Sequence, residues 1–72
     1  MTLGETRVRV SFNPSGESKV EEIKRLTANL IDTCADGRGE MQASEEARLW
    51  SLAMTAYEEA AMWAVKAATI QK

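Results

Sequence analysis

The chain has 72 residues, nine basic and eleven acidic side chains for a formal charge of −2, a single cysteine and no histidine. Cys34 alone excludes an intrachain disulfide, and without His or a second Cys there is no metal-ligand cluster. The slight acidic excess argues against a DNA- or RNA-coating protein, whose footprint is a strong basic surplus. A domain of this size buries only about 60% of its unfolded surface, so a single core is marginal. With disulfide and metal removed from the options, and no cofactor motif, self-association is the expected source of extra stability. Met1 is not followed by a basic and then apolar leader, and a free thiol suits a cytoplasmic location.

Residues 1–17 read as an N-terminal arm. Thr6 to Phe12 alternates polar and apolar with Val8, Val10 and Phe12 on one side, a period of two that predicts an extended, strand-forming arm. Asn13-Pro14-Ser15-Gly16 then reads as a turn. A lone strand needs a partner, so the arm is expected to pair with a neighbour's arm or to drape over the helices.

The first helix is predicted from Ser18 to about residue 36, opened by a Ser18…Glu21 capping box. Val20, Ile23, Thr27, Leu30, Ile31 and Cys34 share one face at helical spacing, which leaves Lys24 on the polar side. Asp36-Gly37-Arg38-Gly39 ends it, with Gly37 expected as a left-handed cap. The second helix is predicted over 44–71, with Ser44 as N-cap and Glu45 and Glu46 in the first turn, where the helix dipole favours anions. Two helices joined by a short connector make an antiparallel hairpin, and the longer second helix is expected to overhang the first. The fold class is therefore all-α, a helical hairpin with an extended arm.

The second helix carries two apolar stripes. One runs Leu49, Leu52, Ala56, Ala60, Trp63, Ala67, Ile70, and the other Trp50, Met54, Tyr57, Ala61, Val65, Ala68. A surface helix needs one. Arg48, Glu58, Glu59 and Lys66 interrupt the apolar run, so a membrane span is not expected. The spare stripe points to a homo-oligomer, with Trp50, Met54, Tyr57, Ala60, Ala61, Trp63 and Ala64 as candidate interface residues.

For catalysis the sequence is poor. No His is present to act as a base near neutral pH. Glu58 and Glu59 are adjacent, which on a helix sends them about 100° apart, and a solvated strip explains them. Cys34 has no activating His or second Cys, and a small core residue explains it. Gly37-Arg38-Gly39 lacks the GxxxxGK[ST] pattern of a phosphate loop. Ligand binding is better served. Phe12, Asn13 and Pro14 lie just ahead of a helix N-terminus, where a ring can stack on a base and amides can hold a phosphate. Lys24 and Arg25 follow about two turns on, and Arg48, Thr55 and Lys66 are polar interruptions of the apolar helix. The plainer reading of each competes: Phe12 as a hydrophobic staple, Lys24 solvated, Lys66 paired with Glu58, Glu59 or a neighbouring chain.

Two stretches, NPSGESKVEEIKRLTANLID at 13–32 and RLWSLAMTAYEEAAMWAVKAAT at 48–69, resemble the bacteriophage anti-CBASS cyclic-oligonucleotide sponge family, whose helical hairpin is shared with anti-Thoeris sponges. The resemblance implies no catalysis. It implies an assembly through the long helix, commonly a homohexamer, in the cytoplasm of an infected host. It also implies cyclic dinucleotides held between protomers, and cyclic trinucleotides at separate pockets in some members. Phe12 is then the base-stacking aromatic and Lys24 the phosphate contact, with Thr27 adding a hydroxyl. Arg48 and Lys66 match basic positions of a trinucleotide pocket. Alternatives are a sponge for cyclic ADP-ribose-type signals and a non-catalytic helical oligomer that binds a host protein.

Overall fold

Two long helices run antiparallel, and a short third lies across one side of them. The computed structural model describes residues 2–8, 18–40 and 43–70, and within these all regular structure is helical: α1 Leu3–Val8, α2 Ser18–Arg38 and α3 Glu45–Ala68. At 1.5 Å per residue α2 is about 32 Å long and α3 about 36 Å, so the overhang is small.

The start of α3 follows its local chemistry. Ser44 is extended (φ −158°, ψ 168°), its hydroxyl accepts the Ala47 amide at 3.1 Å, and Glu45 and Glu46 occupy the first turn. The N-terminal arm departs from the strand expectation. Thr6, Arg7 and Val8 are helical, because Thr2 and Glu5 cap α1 reciprocally: the Thr2 amide donates to Glu5 Oε1 at 2.9 Å and the Glu5 amide to Thr2 Oγ1 at 3.1 Å. The remainder of the proposed strand and turn, Arg9 to Gly16, lies outside the described residues.

The end of α2 also differs from expectation. Gly37 is inside the helix, and Gly39 takes the left-handed conformation (φ 53°) with its amide donating to Ala35 O at 2.9 Å. Trp50 explains why a glycine sits at 37. A Cβ there would come within 2.6 Å of the Trp50 ring, so the missing side chain lets α3 approach α2 at the turn.

The core joins Val8 of α1, Ala28, Ile31 and Cys34 of α2, and Met54 and Ala61 of α3, with Ala35, Trp50, Ala53 and Tyr57 packed against it. Val20, Ile31 and Met54 are fully buried. The α3 stripe containing Trp50, Met54, Tyr57, Ala61, Val65 and Ala68 therefore covers α2, and the stripe of Leu49, Leu52, Trp63 and Ile70 stays open, each of the four between 51% and 62% exposed. The Cα envelope measures 46 × 21 × 13 Å. Among the described residues no helix is long and apolar enough to cross a membrane.

Candidate functional site

The buried face of α2 is Val20, Lys24, Ala28, Ile31 and Cys34, spaced by three and four residues; Val20, Ile31 and Cys34 were expected there, whereas Lys24 and Ala28 were not. Ile23 and Thr27 are half-buried at its edge, while Leu26 and Leu30 are exposed. Lys24 is 3% exposed, which corrects its assignment to the solvent side. α1 seats against α2 at Ala28, one turn from Lys24, and the methylenes of a long side chain pack well in such a row. Lys24 is engaged rather than free. Its three donors still allow a further acceptor.

Thr27 lies one turn from Lys24, and its hydroxyl donates back to Ile23 O at 2.7 Å, with Lys24 O at 3.3 Å. Its oxygen lone pairs remain available to a ligand donor. Arg25 points to solvent. Phe12, Asn13 and Pro14 lie outside the described residues.

The basic residues of α3 stand apart. Arg48 and Lys66 are separated by about 27 Å of helix, so one chain cannot bring them to a common ligand. Arg48 forms a two-pronged pair with Glu45, Nε to Oε1 and Nη2 to Oε2, both at 2.8 Å. These bonds hold the Glu45 carboxyl below its ordinary range and raise the Arg48 guanidinium. Both groups are fully exposed, so the pair orders the first turn of α3 more than it stabilises the fold. Lys66 stands over the Trp63 ring, 5.8 Å from its centroid.

An open recess of about 640 Å³ lies at the hairpin turn, lined by Arg38, Gly39, Glu40, Ala43, Ser44, Ala47, Arg48 and Ser51. Arg38 Nη1 donates to Ser51 Oγ there at 3.2 Å. Lys24 lies about 20 Å along α2 from Gly37, so this recess and the Lys24 region are separate. Antiparallel packing instead puts Lys24 and Lys66 toward the same end of the hairpin.

Of the expected interface residues, Met54 and Ala61 are inside the chain's own core, and Trp50 and Tyr57 pack against it. Ala60 and Trp63 are exposed and Ala64 half-buried, so the open face is carried by Trp63 and Ala60 with Leu49, Leu52 and Ile70. No group of three or more metal-binding side chains clusters among the described residues. Sequence reasoning missed the α1 seat at Gly4 and Asp32, although the Thr2-Leu3-Gly4-Glu5 capping pattern signals the helix.

The family model of the Acb2/Tad1 hairpin domain matches residues 4–69, nearly the whole chain. The chain belongs to that family. Membership carries the family's anti-defence sponge role and agrees with the resemblance of the two helical stretches. The matched span includes α2 and α3 complete and all but the first residue of α1, so the hairpin is the family domain itself. Comparisons with curated proteins and with solved structures gave no match.

Proposed function

We propose that this protein binds and sequesters cyclic dinucleotide second messengers between copies of itself, without cleaving them, and so blocks CBASS-type signalling in a phage-infected cell. The match to the Acb2/Tad1 hairpin domain over residues 4–69 carries this reading. The open apolar stripe of α3 supports the assembly it requires.

In this reading Lys24 meets a ligand phosphate, Thr27 offers its hydroxyl alongside, and Phe12 stacks on a base with Asn13 and Pro14 beside it. Arg25 adds long-range attraction. The burial of Lys24 favours a phosphate that enters a crevice, where a charge-assisted hydrogen bond is stronger than on an open surface. Arg48 and Lys66, too far apart within one chain, would reach a cyclic trinucleotide only from different protomers. With no His as a base and no paired carboxylates, the chain retains rather than turns over its ligand. The family's double name favours one second reading, a sponge for cyclic ADP-ribose-type signals.

Isothermal titration against cyclic dinucleotides, cyclic trinucleotides and cyclic ADP-ribose isomers tests this directly. Saturable binding of a cyclic dinucleotide, recovered chemically intact after heat denaturation, is the expected result. Binding of cyclic ADP-ribose isomers alone selects the second reading, and protein-dependent linearisation refutes the sponge.

A further inference from the structure

We propose that the recess at the hairpin turn is a further binding site, for a ribonucleotide phosphate held within a single chain, with Arg38 as its principal contact. The inference goes beyond the cyclic-dinucleotide reading and uses neither Lys24 nor Phe12. The turn between the long helices brings Arg38, the last residue of α2, and Arg48, in the first turn of α3, to one recess of about 640 Å³. Small-molecule sites run to roughly 300–1,000 Å³, so this one admits a nucleotide and not only an ion.

The two arginines are not alike. Arg48 is held two-pronged by Glu45, which compensates its charge and leaves both Nη1 donors over. Arg38 is half-buried, and its Nη1 donates at 3.2 Å to Ser51 Oγ, a neutral hydroxyl. Among the described residues Arg38 makes no ion pair, so the hydroxyl fixes its direction without cancelling its charge. Its other N–H donors form the planar fork that matches two phosphate oxygens. Glu40 lines the recess as well. A carboxylate there repels a bare anion but accepts from O–H and N–H groups. A ligand that suits both sides carries an anion together with hydroxyls or amines. That is the chemistry of a ribonucleotide, with its phosphate on Arg38 and a ribose hydroxyl or base amine on Glu40. Arg38 lies about 21 Å along α2 from Lys24, so the two sites do not compete for one ligand.

The test titrates the full, isotope-labelled chain with 5′-AMP, adenosine and inorganic phosphate separately. NMR reads the amides of residues 38–40 and 44–51 and, as a control, those of 20–28. AMP shifts the first set saturably and not the second, and adenosine and phosphate each bind at least about tenfold more weakly. Arg38→Met, which keeps a long stem and removes the charge, weakens AMP at least about tenfold. Lys19→Met removes the same charge elsewhere on α2 and leaves AMP binding unchanged. Glu40→Gln narrows the gap between AMP and phosphate. A cyclic trinucleotide as a further titrant separates the sources of the phosphate: tighter binding than AMP names an oligonucleotide and weaker binding a mononucleotide, and either supports the site. Should Arg38→Met lose its helical circular dichroism, Arg38→Lys decides, because it keeps the charge, loses the fork and binds AMP severalfold more weakly. No saturable shift at 38–40, an Arg38 variant as tight as wild type, or phosphate as tight as AMP overturns the site. Wild type that binds AMP here but no cyclic dinucleotide sinks the proposed function and leaves this inference standing, and the reverse result sinks this inference alone.

Discussion

Replacing Lys24 separates its two roles, packing and charge. Its side chain is 3% exposed in the row with Val20 and Ala28, so its methylenes contribute to the fold whatever its ammonium does. Lys24→Met keeps an unbranched stem of similar volume and removes the charge, a swap that costs a core less than about 1.5 kcal/mol. Lys24→Glu is a different experiment. It forces a carboxylate into a site sized for a long stem, and an uncompensated buried charge costs about 3–5 kcal/mol, a large part of a small domain's stability. The methionine variant is therefore the informative one. If Lys24 meets a phosphate, losing that charge-assisted hydrogen bond removes about 1.5–3 kcal/mol of binding, or about 10–150-fold in affinity. Titration with a cyclic dinucleotide reads the affinity, and circular dichroism reads the fold. Lys24→Met should stay helical, keep the wild-type assembly size and bind at least about tenfold more weakly. Affinity within twofold of wild type, in a folded variant, would refute the phosphate role.

Trp63→Glu alters a side chain 62% exposed in the single chain, so it should leave each hairpin helical while reducing a large assembly on a light-scattering column toward 7.9 kDa; a wild-type chain already monomeric at micromolar concentration sinks the self-association reading. Met54→Ala empties a fully buried core position and should cost about 2–5 kcal/mol, lowering the melting midpoint by about 10 °C or more, whereas a shift of a degree or two would show that α3 does not pack as described. With no His, ligand affinity should be flat between about pH 6 and 8, and a change centred near pH 6.5 would show the site is misread. Arg48 depresses the Glu45 carboxyl, so the small stabilisation from this pair is present above the unfolded value and lost as pH falls through the folded one; in a carboxyl NMR titration Arg48→Ala should move Glu45 back up to its ordinary range.

The parts of the fold legible in the sequence are those decided locally. Ser44-Glu45-Glu46 carries its own cap chemistry, and the two stripes of α3 need only helical spacing to be seen. The parts that were not legible are decided across the fold. Gly37 and Gly39 are equivalent as sequence, and only the Trp50 ring against Gly37 tells which stays helical. The Arg7-Val8-Arg9-Val10 alternation has a strand period, yet the reciprocal Thr2–Glu5 cap and the Gly4 seat hold the first part of it as helix. Lys24 was placed with the solvent because a helical wheel treats lysine as polar. The wheel also does not contain α1, which seats one turn away at Ala28. At the site, the Lys24–Thr27 spacing was readable, whereas the distance between Arg48 and Lys66 follows only once both are on one unbroken helix.

How the open stripe is covered bears on the kind of assembly. Leu49, Leu52, Trp63 and Ile70 are each already about half covered by their own chain. Full burial of such side chains is worth about 1.5–3 kcal/mol, so completing it at these four positions contributes about 3–7 kcal/mol per chain. A two-fold dimer doubles that to about 6–14 kcal/mol, against an association cost of about 4–15 kcal/mol. The two ranges overlap, and a micromolar complex needs about 8 kcal/mol net. One stripe closing on one copy reaches that only at the favourable ends of both ranges. The other exposed large apolar residues among the described ones are Leu3 on α1, Leu26 and Leu30 on α2 and Met62 on α3. Closed symmetry with two kinds of contact per chain would cover these residues as well as the stripe. Such an assembly would let basic residues separated by about 27 Å on one α3 converge from different chains.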